Sequence, residues 1–134
     1  MNTYTLDKDI NTICVTAKSF PDDITGAFDR LRALLPDANN RTLYGISRPE
    51  NGKIVYRAAA EGTSAEAEQL NAESFTIKAG KYITETIHDW QAHMEQIAST
   101  FQALLDQPNI DPIGACVEWY KNDKELVCMV RVTT

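Results

Sequence analysis

Apolar and polar positions along the chain fall into two kinds of period, and the same order of periods occurs twice. Tyr4-Thr5-Leu6 opens the first copy, and residues 12–18 (Thr-Ile-Cys-Val-Thr-Ala-Lys), rich in β-branched side chains, read as a strand. Ile24, Phe28, Leu31 and Leu35 then follow at spacings of four, three and four, which places them on one helix face. Two strand-like runs close the copy, Leu43 to Ser47 and Lys53 to Ala60. In the second copy Phe75-Thr76-Ile77 is a short strand and Lys81 to Ile87 the next. Met94, Ile97, Phe101, Leu104 and Leu105 mark a second helix, and Ile113–Tyr120 and Glu125–Val132 form the last pair of strands. The two copies are offset by about 70 residues, and a repeat of that length predicts two half-domains related by a pseudo-twofold axis.

The punctuation agrees with these periods. Phe20-Pro21-Asp22-Asp23 reads as a helix start, because proline suits the first turn and aspartates there complement the helix dipole. Gly26 inside that helix costs about 1 kcal/mol relative to alanine, and Pro36 marks its end. Asn51-Gly52 between strands is a hairpin signal, and Lys121-Asn122-Asp123-Lys124 is a weaker one. Asp89 is the expected N-cap of the second helix, and Pro108 and Pro112 bracket the loop beyond it. Residues 61–73 read as a linker with one exposed helical turn, which Thr63 and Glu66 would close as a capping box.

The predicted architecture is α+β: a tandem βαββ repeat with an antiparallel sheet, both helices on one face and a ligand groove on the other. A single domain is expected over 1–134, with halves of about 3–60 and 74–134. Clefts between such halves are where ligands tend to bind.

Composition narrows the function. With 134 residues, 43% hydrophobic and 24% charged, the chain has the make-up of a globular domain. No apolar run approaches the roughly 20 residues that span a bilayer, and Met1-Asn2-Thr3-Tyr4 does not read as a secretory signal, so no membrane association and a cytoplasmic location are expected. A net charge of −6 disfavours direct nucleic acid binding and is compatible with cationic ligands or basic protein partners. Cys14, Cys116 and Cys128, all in apolar strand-like contexts, read as reduced core thiols. His88 and His93 have the wrong spacing for a metal site, so neither a metal nor a cofactor is expected.

Ile113–Tyr120 is the segment with most chemistry. Alternation puts Ala115, Val117 and Trp119 on one face and Gly114, Cys116, Glu118 and Tyr120 on the other. A glutamate in the middle of an apolar strand is either buried, with its charge paired or its pKa raised, or solvent-facing on an edge strand beside Lys121 or Arg131. Buried in a cleft among aromatic rings, such a carboxylate suits a lipophilic cation.

The stretch from Phe75 to Val132 resembles the gyrase-inhibitor-like (GyrI-like) effector-binding domain, which is also found at the C-terminus of AraC- and MerR-type bacterial transcription regulators. The resemblance lies in Ala79-Gly80-Lys81-Tyr82, in the helix ending Phe101-Gln102-Ala103-Leu104-Leu105, and in Cys116-Val117-Glu118-Trp119-Tyr120 after a proline-containing loop. The first half matches more weakly. The family fold is a tandem βαββ repeat, and the resemblance implies a groove between the halves that binds hydrophobic, often cationic or aromatic, small molecules, as in multidrug binding. By that resemblance Glu118 is the acidic residue at the groove centre, Tyr120 its neighbour, and Tyr82 the tyrosine of the glycine-x-tyrosine element. Trp90 either lids the groove or packs, and Tyr44 and Tyr56 flank the first hairpin as a possible second wall. His88-Asp89-Trp90 departs from the glycine-containing turn common in the family.

Three readings follow. The first is a stand-alone effector-binding module, with Glu118 as the recognition residue. With no helix-turn-helix ahead of the first strand, any role in transcription regulation would need a partner. The second is a small hydrolase of the family with Glu118 as general base and Tyr120 and Trp90 as helpers. The third is a modulator of a protein target such as DNA gyrase.

Overall fold

The computed structural model describes residues 1–133; Thr134, the last residue of the expected second half, lies outside them. Eight strands form one antiparallel sheet: β1 (Asn2–Leu6), β2 (Ile10–Thr16), β3 (Leu43–Glu50), β4 (Lys53–Glu61), β5 (Glu73–Ile77), β6 (Gly80–His88), β7 (Cys116–Tyr120) and β8 (Glu125–Arg131). Their order is β1-β6-β8-β7-β3-β4-β2-β5. Exchanging each strand for its counterpart in the other copy (β1 for β5, β2 for β6, β3 for β7, β4 for β8) reverses that order, which is the signature of a twofold axis at the β7–β3 seam. Each copy's opening strand joins the other half: β1 pairs with β6, and β5 pairs with β2.

Helices α1 (Ile24–Leu34) and α3 (Gln96–Leu105) cover one face. Ala27, Leu31 and Leu35 pack with Ile13, Ala58 and Ala60 of β2 and β4. Phe101 and Leu104 pack with Ile87, Leu126, Cys128 and Val130 of β6 and β8. The alanines on β4 let α1 sit close to the sheet. The short α2 (Ser64–Gln69) links the halves in sequence, packs on β2 and β5, and has the expected capping box, Glu66 N–H donating to Thr63 Oγ1 at 3.1 Å and Thr63 N–H to Glu66 Oε1 at 3.1 Å. It is docked rather than fully exposed, because Ala67 is buried under α1's cluster.

The helix-free face is concave. In a flat sheet β1 and β7 would be three strand spacings apart, roughly 14 Å. Instead the rings of Tyr4 on β1 and Trp119 on β7 have centroids 5.8 Å apart. On the other side the Arg48 guanidinium of β3 lies 4.9 Å from the ring centroid of Phe75 on β5. Inside this curl Tyr44, Ile46, Tyr82, Val117, Val127 and Met129 form a third cluster.

Some local expectations are corrected. Asp89 does not cap α3: it adopts φ 52°, ψ 46° with no side-chain cap bond, and a 3-10 turn (Trp90–Ala92) intervenes before α3 starts at Gln96. Asp89 thus occupies a left-handed position, which asparagine, aspartate and glycine tolerate best. Met94 falls outside α3 and is exposed. The helix start read at Phe20–Asp23 falls later, because α1 begins at Ile24 with no acidic residue in its first turn; the Asp23 carboxylate accepts from Arg30 Nη2 and the Lys18 amide, each at 2.7 Å. Cys116 is only partly buried. The strand carrying it, β7, is central rather than an edge, so Glu118 pairs with neither Lys121 nor Arg131. Arg131 instead binds Asp111 at 2.9 Å and the Ala79 carbonyl at 2.9 Å from Nη2.

Candidate functional site

At the seam, Gly45 of β3 lies directly opposite Glu118 of β7. Strand alternation turns Glu118, Cys116 and Tyr120 to the helix side, since Cys116 and Tyr120 pack on the α3 cluster while Val117 and Trp119 join the concave one. The acidic residue therefore sits between α1 and α3. The helix-free face, where the groove was expected, is where Tyr44 and Tyr82 stand, buried in the concave cluster. The two helices, one per half, stand on either side of the seam, and the rings of Phe28 and Trp90 close over it.

Glu118 is 8% exposed. Its Oε1 accepts from Tyr120 OH at 2.6 Å and from Tyr56 OH at 2.9 Å. Its Oε2 accepts no hydrogen bond among the described residues, and no buried side-chain oxygen among them lacks a partner, so Oε2 keeps contact with solvent. No cation pairs with it among the described residues. Burial pushes its pKa up, and the two tyrosine hydroxyls oppose that by stabilising the ionised form. Burial also raises Tyr120 and Tyr56, as does the neighbouring Glu118 carboxylate, so both phenols stay protonated and act as donors.

Gly45 makes this geometry possible. A Cβ there would run into the Tyr56 hydroxyl and lie 2.6 Å from Glu118 Oε1. Around the carboxylate runs a chain of rings. Phe20 stacks on Tyr56 at 5.8 Å, and Phe28 of α1 sits edge-on to Tyr56 at 6.4 Å and to Tyr120 at 5.9 Å. Trp90 meets Tyr120 at 5.0 Å and is anchored by Nε1–H donating to the Asn122 carbonyl at 3.0 Å.

Of the expected site residues, the fold brings together Glu118, Tyr120, Tyr56 and Trp90, and sets Tyr44 and Tyr82 apart. Tyr82 OH donates to the Lys78 carbonyl at 2.6 Å. Sequence reasoning missed Gly45, Phe20 and Phe28. A glycine inside a strand was the available signal for Gly45, because it marks a close approach. Phe28, on the core face of α1 by its spacing, does pack against that core cluster, but it is half-buried and its ring also reaches Tyr56 and Tyr120 at the seam.

The thiols are held protonated by burial, Cys14 and Cys128 at about 12 and Cys116 at about 11. No cluster of three metal-ligating side chains occurs among the described residues. Among the same residues, no helix is long and apolar enough to cross a membrane.

No family model and no curated protein matches the chain. Solved structures do. An integron cassette protein from the mobile metagenome of Vibrio cholerae superposes with a TM-score of 0.71 at 13% identity, covering 98% of this chain and 95% of the other. The protein SAV2435, solved bound to tetraphenylphosphonium, gives 0.69 at 16% identity over 98% and 93%. A hydrolase from Listeria innocua gives 0.60 at 11% identity over 98% and 90%. The fold is shared. At these identities the likeness establishes the tandem α+β architecture and nothing about ligand or chemistry.

Proposed function

We propose that the chain is an effector-binding module of the GyrI-like kind, which takes a hydrophobic cation at the seam between α1 and α3. The observation that carries this reading is Glu118 itself: a buried carboxylate with no cationic partner among the described residues, held by two phenols whose rings are bordered by Phe20, Phe28 and Trp90. Burying such a charge is costly unless it is paired. A cation over Oε2 would supply the missing partner and gain cation–π contact with Tyr120, Trp90 and Phe28. Entry requires the Phe28 ring to leave Tyr120. Tyr44 and Tyr82 are left out of this site. The fold-sharing protein that binds tetraphenylphosphonium supports the choice of ligand class.

The test is a thermal-shift titration with tetraphenylphosphonium against neutral triphenylphosphine oxide, on wild type and Glu118→Gln. At a hundred times its dissociation constant a ligand stabilises the fold by about 2.7 kcal/mol. The expected result is a shift with the cation only, lost in Glu118→Gln. Equal shifts in both proteins would remove Glu118 from recognition.

The same carboxylate supports a second reading, since a fold-sharing protein is a hydrolase. A glutamate whose pKa is raised by burial and whose Oε2 is free is suited to activating water. Mass spectrometry of incubated ligand separates the two readings, because a binder returns it unchanged.

A further inference from the structure

β2 and β4 run together as far as Ala17, whose amide donates to the Tyr56 carbonyl at 2.8 Å. Beyond that rung the chain after β2 turns away, and the Lys18 amide donates to Asp23 Oδ2. β4 extends further, through Val55, Ile54 and Lys53, paired only with β3. The divergence opens a notch of about 520 Å³, lined among others by Ala17, Lys18, Phe20, Lys53, Ile54 and Tyr56. That volume lies within the range of small-molecule sites, about 300–1,000 Å³.

The notch has a polar end and an apolar wall. Ladder bonds alternate sides along an antiparallel strand. Tyr56 directs its backbone toward β2, so Ile54, two residues on, does the same. Its counterpart in β3 is Pro49, which has no N–H, consistent with a rung that faces the other way. With β2 gone, the Ile54 amide has no acceptor among the described residues. Lys18 and Lys53 flank it, and neither forms an ion pair among the described residues. Both are local exceptions on a chain of net charge −6. Phe20 and Ile54, 45% and 46% exposed, supply the apolar wall.

We propose that this notch binds a small amphipathic carboxylate, with the acid group on the Ile54 N–H between Lys18 and Lys53 and the apolar body against Phe20 and Ile54. The site is separate from Glu118 and opposite in charge preference, although Tyr56 and Phe20 border both. It does not depend on the cation reading.

The probe is 2-naphthoate, with neutral 2-naphthamide as its isostere, followed by amide NMR on the whole chain. Saturable shifts at Ala17, Ser19, Ile54 and Val55 are expected, largest at the Ile54 amide. The double variant Lys18→Gln, Lys53→Gln should bind about tenfold more weakly, as should wild type toward the amide, because two exposed ion pairs are lost. Binding should weaken as salt rises. Both lysines are exposed, so the variant's unliganded spectrum is expected to match wild type. Absence of saturable shifts, equal affinity for acid and amide, wild-type affinity in the double variant, or shifts centred on Trp90 and Tyr120 would each overturn the proposal.

Discussion

Glu118 is the residue at which the fold conflicts with solvation, and its titration gives that conflict a sign. Burial raises its pKa above the ordinary value of 4.5, so the native state disfavours the ionised form. A group raised in this way contributes stability that is fully present below its unfolded pKa and is lost as pH rises through the folded value. Without ligand, wild type should therefore fall in stability relative to Glu118→Gln as pH climbs from about 4.5 upward. Urea midpoints measured for both proteins across that range would track each other if the carboxylate were freely solvated, and that result would refute the burial argument. Glu50 and Glu66 behave oppositely. The Arg57 guanidinium holds Glu50 at about 2 and that of Arg41 holds Glu66 at about 2, so their contribution is present above 4.5 and fades toward pH 2 in both proteins. Gly45 belongs to the same scale. Gly45→Ala forces a methyl group against Tyr56 OH and Glu118 Oε1, an overpacking expected to cost about 1–3 kcal/mol in denaturant unfolding. A smaller loss would mean that the Tyr56–Glu118 bond yields easily.

At the scale of elements, local signals were legible and distant ones were not. The capping box at Thr63 and Glu66 could be read because its partners lie three residues apart, and both bonds form. Thr63→Ala should cost about 0.5–2 kcal/mol of stability, because α2 loses one satisfied N–H and the docking of Ala67 depends on that turn. Asp89 shows the limit of such reading. An aspartate before a helix suggests a cap, yet the turn after β6 needs a left-handed residue, and backbone geometry prevails over side-chain preference. Asp89→Gly should then be neutral or mildly stabilising, whereas Asp89→Val should lose about 1–2 kcal/mol. Thermal unfolding of the pair checks this, and equal midpoints would refute it. The face that carries Glu118 and Tyr120 was legible from strand alternation alone. That Tyr56, 62 residues earlier, would donate to Glu118 was not, because it depends on β3 lying between β4 and β7. Tyr82 was grouped with Glu118 through the resemblance and Tyr44 through its place beside the first hairpin, and no local period reveals that both stand on the opposite face from Glu118.

At the scale of the molecule, the repeat in the sequence does not mark a boundary in the structure. Residues 61–73 separate two copies on paper. In space β5, which follows that linker, completes the edge beside β2, and β1 completes the edge beside β6. Cutting the chain at the linker would take a strand from each half and break the five-residue β3–β7 ladder at the seam. It would also unpair Tyr56 from Glu118 and leave the carboxylate without one of its donors. Interlocked halves cannot unfold in turn without exposing both clusters under the helices. A single cooperative transition is therefore expected, with a calorimetric enthalpy of roughly 90 kcal/mol near 60 °C, from about 0.7 kcal/mol per residue. Equality of the calorimetric and van't Hoff enthalpies is the measurement, since halves that melt separately would give a van't Hoff value near half the calorimetric one. Equality would also bear on the proposed ligand, because a cation bound at the seam would stabilise both halves at once and move the whole transition. Two transitions, with only one moved by tetraphenylphosphonium, would place the ligand inside one half and away from the seam.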